Sequence, residues 1–293
     1  MRPRFLPAAL LALAVLAAAP ARALDNYVLA YNSVKAGGEF GYIQQLLTAA
    51  LDASSAKYGA YQLRVSTVLM ERQRLLLEMR KGELVNLSAQ ASSAEWEREL
   101  IAIRIPLDKG LSGYRVSLID GRRQADFSAV RTLAQLQALS MGAGRQWSSA
   151  EVFAGAGFDV VTGNSLAGLH KMLAAGRFRH FPRGVDEAVY EQAANVAAFP
   201  PLALEDSFAI YVPLPRYFFV AAEQRGLAER LDYGLRLLIA DGRFERLFHQ
   251  HYDDIIERSG LRRRRIFQLA NPLLTPQTPL GHKEYWFDPL ARH

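Results

Sequence analysis

The 293-residue sequence has no cysteine, which excludes a disulfide framework, a thiol nucleophile and lipid attachment through a cysteine. Stability must come from a buried core, which a chain of this length can build. After its first 19 residues it has no run close to the roughly 20 consecutive apolar residues that a membrane-spanning helix needs. Charge of one sign is also scarce: 35 Lys and Arg against 29 Asp and Glu leave +6. Histidines are few, and the one suggestive pair, His249 and His251 in HQHYDD, lies two residues apart, a spacing that sends the rings to different sides of a helix. No metal or cofactor is expected. GNSLAG places a serine between glycines but lacks the spacing of a nucleophile elbow, so hydrolase chemistry has little support.

The chain opens with MRPRFLPAALLALAVLAAAPARA. Arg2 and Arg4 precede a short apolar stretch and an Ala-Arg-Ala triplet, the pattern of a secretory signal peptide cleaved after Ala23. Residues 1–23 are therefore expected to leave an exported, periplasmic protein without a membrane span. Three arginines go with them, which reduces the charge to about +3 and removes the case for nucleic acid.

NYVLAYNS reads as a strand, EFGYIQQLLTAALDASSAKYG as a helix, and YQLRVSTVLM as a second strand. ERQRLLLEMRKGELVNLSA adds a helix and a third strand from Glu83 to Ala89. This βαβαβ order predicts an α/β fold with a sheet covered by helices and with ligands at the carboxyl ends of its strands. GYRVSLID is a further strand, and from about residue 120 three helix-then-strand phrases make a second α/β unit. The proline-rich segment 199–222 is extended, and two long amphipathic helices follow it. LLLEMRKGEL, LHKMLAAGRF and LRLLIADGRF each run into a glycine in the same way, which points to one helix stop used three times.

This order of elements resembles the type II periplasmic solute-binding proteins, in the branch (family 3) associated with polar amino acid ABC transporters. VRTLAQLQALSMGAG is similar to that branch's entry into its second lobe, and LDYGLRLLIADGRFERLFHQHY to its terminal helix. The resemblance covers roughly residues 27–252. It implies two lobes, each a mostly parallel sheet flanked by helices, joined by two crossings that act as a hinge. Lobe 1 would take 24–118 with 208–259, lobe 2 would take 119–207, and 260–293 would be an extension packed on a lobe. The crossings are expected near Tyr114 to Ile119 and Phe208 to Val212. The binding motif diverges: where the family carries a carboxylate-gripping arginine after the third strand, this chain has Trp96 or Glu97, with Arg98 late. The family's acidic residue for an α-amino group has no clean match, Asp186 and Glu187 lying past it.

Candidate contacts follow from the chemistry. Tyr31, Asn32 and Ser33 end the first strand, and Ser88 lies in the third. Arg104 stands in an apolar strand, where it must meet a ligand, an ion partner or water. In MGAGRQWSSAEVF, Ser148 and Glu151 predict a capping box at a helix start, which suits an anion and places Arg145, Trp147 and Ser148 beside it, or else is a plain cap. In GRFRHFPRG, a strand at 177–181 would split its arginines between two faces, leaving Arg183 as a ligand contact or a structural turn. LRRRRIF is expected to be a solvated helix face or end, or else a contact for an anionic membrane surface or partner.

The expected function is binding of a small polar, anionic or zwitterionic solute by lobe closure, as a monomer, for an ABC transporter permease or a membrane sensor. Two alternatives stand beside it: a cleft enzyme of the cyclohexadienyl dehydratase kind, and a degenerate binding protein acting through protein contacts.

Overall fold

Two sheets organise the chain. The computed structural model describes residues 25–30 and 39–291, with only the backbone of residues 39 and 40. The expected signal peptide and the candidate contacts Tyr31, Asn32 and Ser33 lie outside the described residues.

The first sheet begins with β1 (Asp25–Leu29), α1 (Glu39–Ala53), the short α2 (Ser55–Tyr58), β2 (Tyr61–Val65), α3 (Arg72–Lys81) and β3 (Leu87–Ala91). β1 pairs in parallel with both β2 and β3, as the βαβαβ order requires. α4 (Ala94–Glu99) and β4 (Ile101–Ile103) complete the unit. The chain then enters the second sheet through β5 (Tyr114–Asp120), α5 (Gln124–Ser128), α6 (Leu133–Gln137), β6 (Met141–Gly144), α7 (Ser148–Gly155) and β7 (Val160–Gly163). α8 (Leu166–Ala174), β8 (His180–Gly184), α9 (Val185–Asn195), β9 (Leu202–Leu204) and β10 (Phe208–Tyr211) follow. β11 (Arg216–Val220) returns to the first sheet, inserting antiparallel between β3 and β4 to give the order β2-β1-β3-β11-β4. After α10 (Arg225–Ala240) and α11 (Arg243–Arg258), β12 (Arg265–Gln268) goes back to the second sheet. There the order is β12-β10-β5-β8-β6-β7, with β9 also on β5. The chain thus passes between the sheets in 104–113, again in 212–215 and, on the way to β12, a third time in 259–264.

β11, RYFFV, shows why the first sheet is buried on both sides. Tyr217 and Phe219 enter the cluster beneath α3 and α4, while Phe218 and Val220 enter the one shared with α1 and α10. The tightest helix contact is α1 on α10: a side chain at Gly234 would sit 2.1 Å from the Ala50 carbonyl. The large core also holds Val185, Ala188 and Val189 of α9 together with Phe248, Tyr252 and Ile256 of α11, so the lobes share one packed seam.

The repeated helix stop is real: Gly82, Gly176 and Gly242 have φ of 69°, 66° and 76°, the left-handed region that a side chain disfavours. Two local expectations move. The strand expected at 177–181 runs over His180–Gly184, because the turn closing α8, with Arg177 N–H donating to the Met172 carbonyl, uses up the first residues. Arg183 consequently lies inside a strand. LRRRRIF meets its expectation in part: Arg262 and Arg263 are exposed on a short helical turn after α11, whereas Arg264 is buried against the carbonyls of Ser259, Glu205 and Phe208 and the Glu205 carboxylate, and the exposed Arg265 opens β12.

The tail beyond β12 lies across the first two passages. Asn271 donates to the Pro213 carbonyl (2.8 Å) and Thr275 to Glu97 (2.9 Å). The Trp286 ring covers Gly110, where any side chain would meet it at 2.5 Å, and Phe287 N–H donates to the Lys109 carbonyl (2.7 Å).

Candidate functional site: a cleft between the two sheets

A cavity of about 220 Å³ opens between the sheets, lined from both. The first sheet supplies Arg72 at the start of α3, Ala91 at the end of β3 and Arg216 at the start of β11. Arg216 is in register with Ala91, and Arg72 Nη2 donates to the Ala91 carbonyl (2.8 Å), so both residues belong to one end of the sheet. Arg72 also donates to Gln90 Oε1 (3.2 Å) and lies 4.8 Å over the Trp96 ring.

The second sheet supplies Arg115, Arg183, Asp186 and Glu187, with Gln146, Trp147, Ser148 and Ser149 from the turn that leads into α7. Register sets Arg183 opposite Val116, one residue from Arg115. Arg183 makes a forked pair with Glu191 (2.7–3.1 Å) and a further bond to Glu187 (2.7 Å). Its guanidinium carbon stacks 4.4 Å from the Trp147 ring. Trp147 lies flat over Gly144, where an added side chain would strike its ring at 2.4 Å. Glu187 accepts from Arg183, from Arg115 (3.4 Å) and from Gly184 N–H (3.0 Å).

The electrostatics are uneven. Burial lowers the pKa of Arg72, Arg115 and Arg216. Burial opposes the charge on Arg183 too, but Glu187 and Glu191 outweigh it and hold its pKa above the ordinary value. Glu191 is pulled down to about 2: His170 and Arg183 overcome its burial, and His170 Nε2 lies 3.3 Å from it. Asp186 goes the other way, pushed up to about 7 by burial and by the neighbouring charges of Glu187 and Asp108. Its Oδ1 is enclosed and has no hydrogen-bond donor.

No protein-family model and no curated protein matches the sequence. Solved structures do match its fold. A probable amino-acid ABC transporter extracellular-binding protein of Bacillus subtilis aligns with a TM-score of 0.55 at 14% identity, over 79% of this chain and 99% of its own. A Salmonella typhimurium periplasmic binding protein described for high arginine specificity aligns at 0.54 and 11% identity, over 78% and 99%. A histidine kinase sensor domain with similarity to periplasmic binding proteins aligns at 0.54 and 16%, over 78% and 96%. The fold is that of the two-lobed, type II periplasmic binding proteins. At these identities the likeness is one of fold.

In that binding-protein fold the cleft brings together four of the residues named from sequence: Trp147, Ser148, Arg183 and Asp186. Others fall elsewhere. Trp96 is fully buried in the first-lobe core, edge-on to Phe219, and reaches the cleft only by supporting Arg72. Ser88 is buried within β3, where its hydroxyl accepts from Gln90. Arg104 is paired with the buried Glu97 (2.8 Å), the ion-pair alternative. Arg145 is exposed and is not among the cleft-lining residues. The capping box at Ser148 does not form: α7 starts at Ser148 itself, and Trp147 takes the cap position without a side-chain bond.

Sequence reasoning missed Arg72, Arg115 and Arg216. Arg115 in YRVSLID and Arg216 in RYFFV carry the signal applied to Arg104, a cation in an apolar strand. Arg72 carries none, since RQRLLLEMRK reads as a solvated basic helix.

Proposed function

We propose that the protein is a periplasmic solute-binding protein that closes its two lobes on a small acidic or zwitterionic solute and presents it to an ABC transporter permease or a membrane sensor. The lobes follow the two sheets, with hinge motion in 104–113 and 212–215. One observation carries the reading: both walls of the cleft present arginines, Arg72 and Arg216 facing Arg115 and Arg183. The volume supports a small ligand, since about 220 Å³ falls below the roughly 300–1,000 Å³ of drug-sized sites. A ligand with a cationic side chain, such as the arginine of the Salmonella protein, would meet repulsion here. A melting screen tests the reading. A ligand at about 100 times its Kd adds roughly 2.7 kcal/mol, and an absence of any shift across organic acids, amino acids and amines removes it.

Asp186 favours a second reading, a cleft enzyme. A carboxyl poised near pH 7 suits general acid–base catalysis. Conversion of a stabilising compound, followed by mass spectrometry and lost in Asp186→Asn, would decide for it.

A further inference from the structure

We infer that residues 269–289 form a strap that ties the two lobes together, so that the cleft opens only when the strap's far end, Tyr285 to Phe287, lifts from the first passage. The inference rests on the lobe-closure reading above and concerns what controls that closure.

The strap has an anchor in each lobe. At its start, Leu269 is buried in the core of the second sheet, Leu273 packs against that core, and Leu269 N–H donates to the Tyr211 carbonyl of β10 (2.8 Å). At its end, Tyr285 and Phe287 are buried in the large core of the first lobe. There the Phe287 ring lies 5.4 Å from Phe248 of α11, and the Tyr285 hydroxyl accepts from Arg236 of α10 (3.3 Å). The run between the anchors is not slack. It is folded into turns that Thr278 N–H closes on the Thr275 carbonyl and His282 N–H on the Pro279 carbonyl, and Trp286 Nε1 donates to the same Pro279 carbonyl (2.9 Å). Parting the lobes must break these bonds or unseat an anchor.

The strap also touches each passage between the lobes. Asn271 holds the second at Pro213, and Arg262 of the third donates to the Pro289 carbonyl (3.2 Å) with its guanidinium 5.5 Å from the Phe287 ring. The first is held most closely. Thr275 shares the Glu97 Oε2 that pairs with Arg104, Trp286 covers Gly110, and the Tyr114 hydroxyl donates to the Phe287 carbonyl (3.0 Å). Lys109, with φ of 50°, is the only non-glycine residue in the left-handed region among the described residues, and Gly110 follows it at 68°. Such a conformation persists only where its surroundings impose it. Here Phe287 N–H binds the Lys109 carbonyl (2.7 Å) and Glu245 pairs with its ammonium group. Lobe rotation is absorbed by backbone angles at a few such residues, and the strap's end fixes these.

Cutting the strap tests this. A site for a sequence-specific protease inserted after Leu280, where 280–282 are exposed, lets the folded full-length protein be severed between its anchors. Glu83→Cys and Asn164→Cys, exposed and one in each lobe, carry spin labels in a chain with no other cysteine. Double electron–electron resonance is expected to give one narrow distance before cutting and a broader distribution with longer distances after it. Uncut Trp286→Ala should shift the same way, with circular dichroism showing the fold intact. If cutting unfolds the protein, Trp286→Ala decides alone. The same narrow distance in the severed protein and in Trp286→Ala overturns the inference, as does a broad distribution in the uncut protein, and either leaves solute binding to be judged by the melting screen. A severed protein that opens while no compound in that screen binds keeps the strap and removes the solute-binding reading.

Discussion

Arg183 and Asp186 lie three residues apart and their titrations are pushed in ways that differ only by partners. Arg183 has two carboxylates, whereas Asp186 has burial and more negative charge. With its folded pKa near 7 instead of the usual carboxyl value near 4, Asp186 contributes stability that is present below about pH 4 and lost as pH rises through 7. Asp186→Asn should therefore melt with less dependence on pH between about 5 and 8 than the parent, by calorimetry across that range. The same proton affects the ligand: an acidic solute should bind more weakly as Asp186 ionises, and the trend should flatten in Asp186→Asn. Trp147 supplies the other test at this scale. Trp147→Ala removes the face on which Arg183 lies, a contact worth about 0.5–2 kcal/mol, and should lower the melting temperature and weaken the ligand together. Residue identity was legible here and residue partnership was not. GRFRHFPRG marked Arg183, but its partner Glu191 comes eight residues later, and only the fold of β8 into α9 brings them together.

At the scale of elements, the order of strands and helices could be read because hydrophobic period and glycine stops are local properties. Gly82, Gly176 and Gly242 end helices where the pattern places them. The offset at β8 and the missing cap at Ser148 have a different origin. A turn consumed residues that the pattern counted as strand, and Trp147 is held by Gly144 and Arg183 in the cap position. The packing of α1 on α10 gives a sharp test. Gly234→Ala drives a methyl group into the Ala50 carbonyl, and backbone cannot swing aside as a side chain can. The cost should be about 1–3 kcal/mol, read as a shift in denaturant midpoint without a change of slope.

For the whole molecule, the first two passages between the lobes do not stand free. The tail grips both, through Asn271 at Pro213 and through Trp286 and Phe287 at Lys109 and Gly110. Trp286→Ala should loosen the first passage, with amide exchange over 109–113 faster by ~10-fold, which corresponds to about 1.4 kcal/mol of local opening. Little of this was legible from sequence: the tail's aromatics indicated that it must pack, but its seat is assembled from segments 58 residues away at Pro213 and 173 away at Tyr114.

β12 has a consequence for the order in which the protein is made. Every strand of the first sheet is present once synthesis reaches residue 220, whereas the outer strand of the second sheet, β12, begins only at residue 265. Until then β10 presents an open edge with unpaired main-chain groups, the kind of edge that recruits other chains. The finished protein covers that edge with β12, so a ribosome that stalls between residues 220 and 265 or a protease that clips ahead of β12 leaves a molecule whose first sheet is complete and whose second sheet has a surface suited to aggregation.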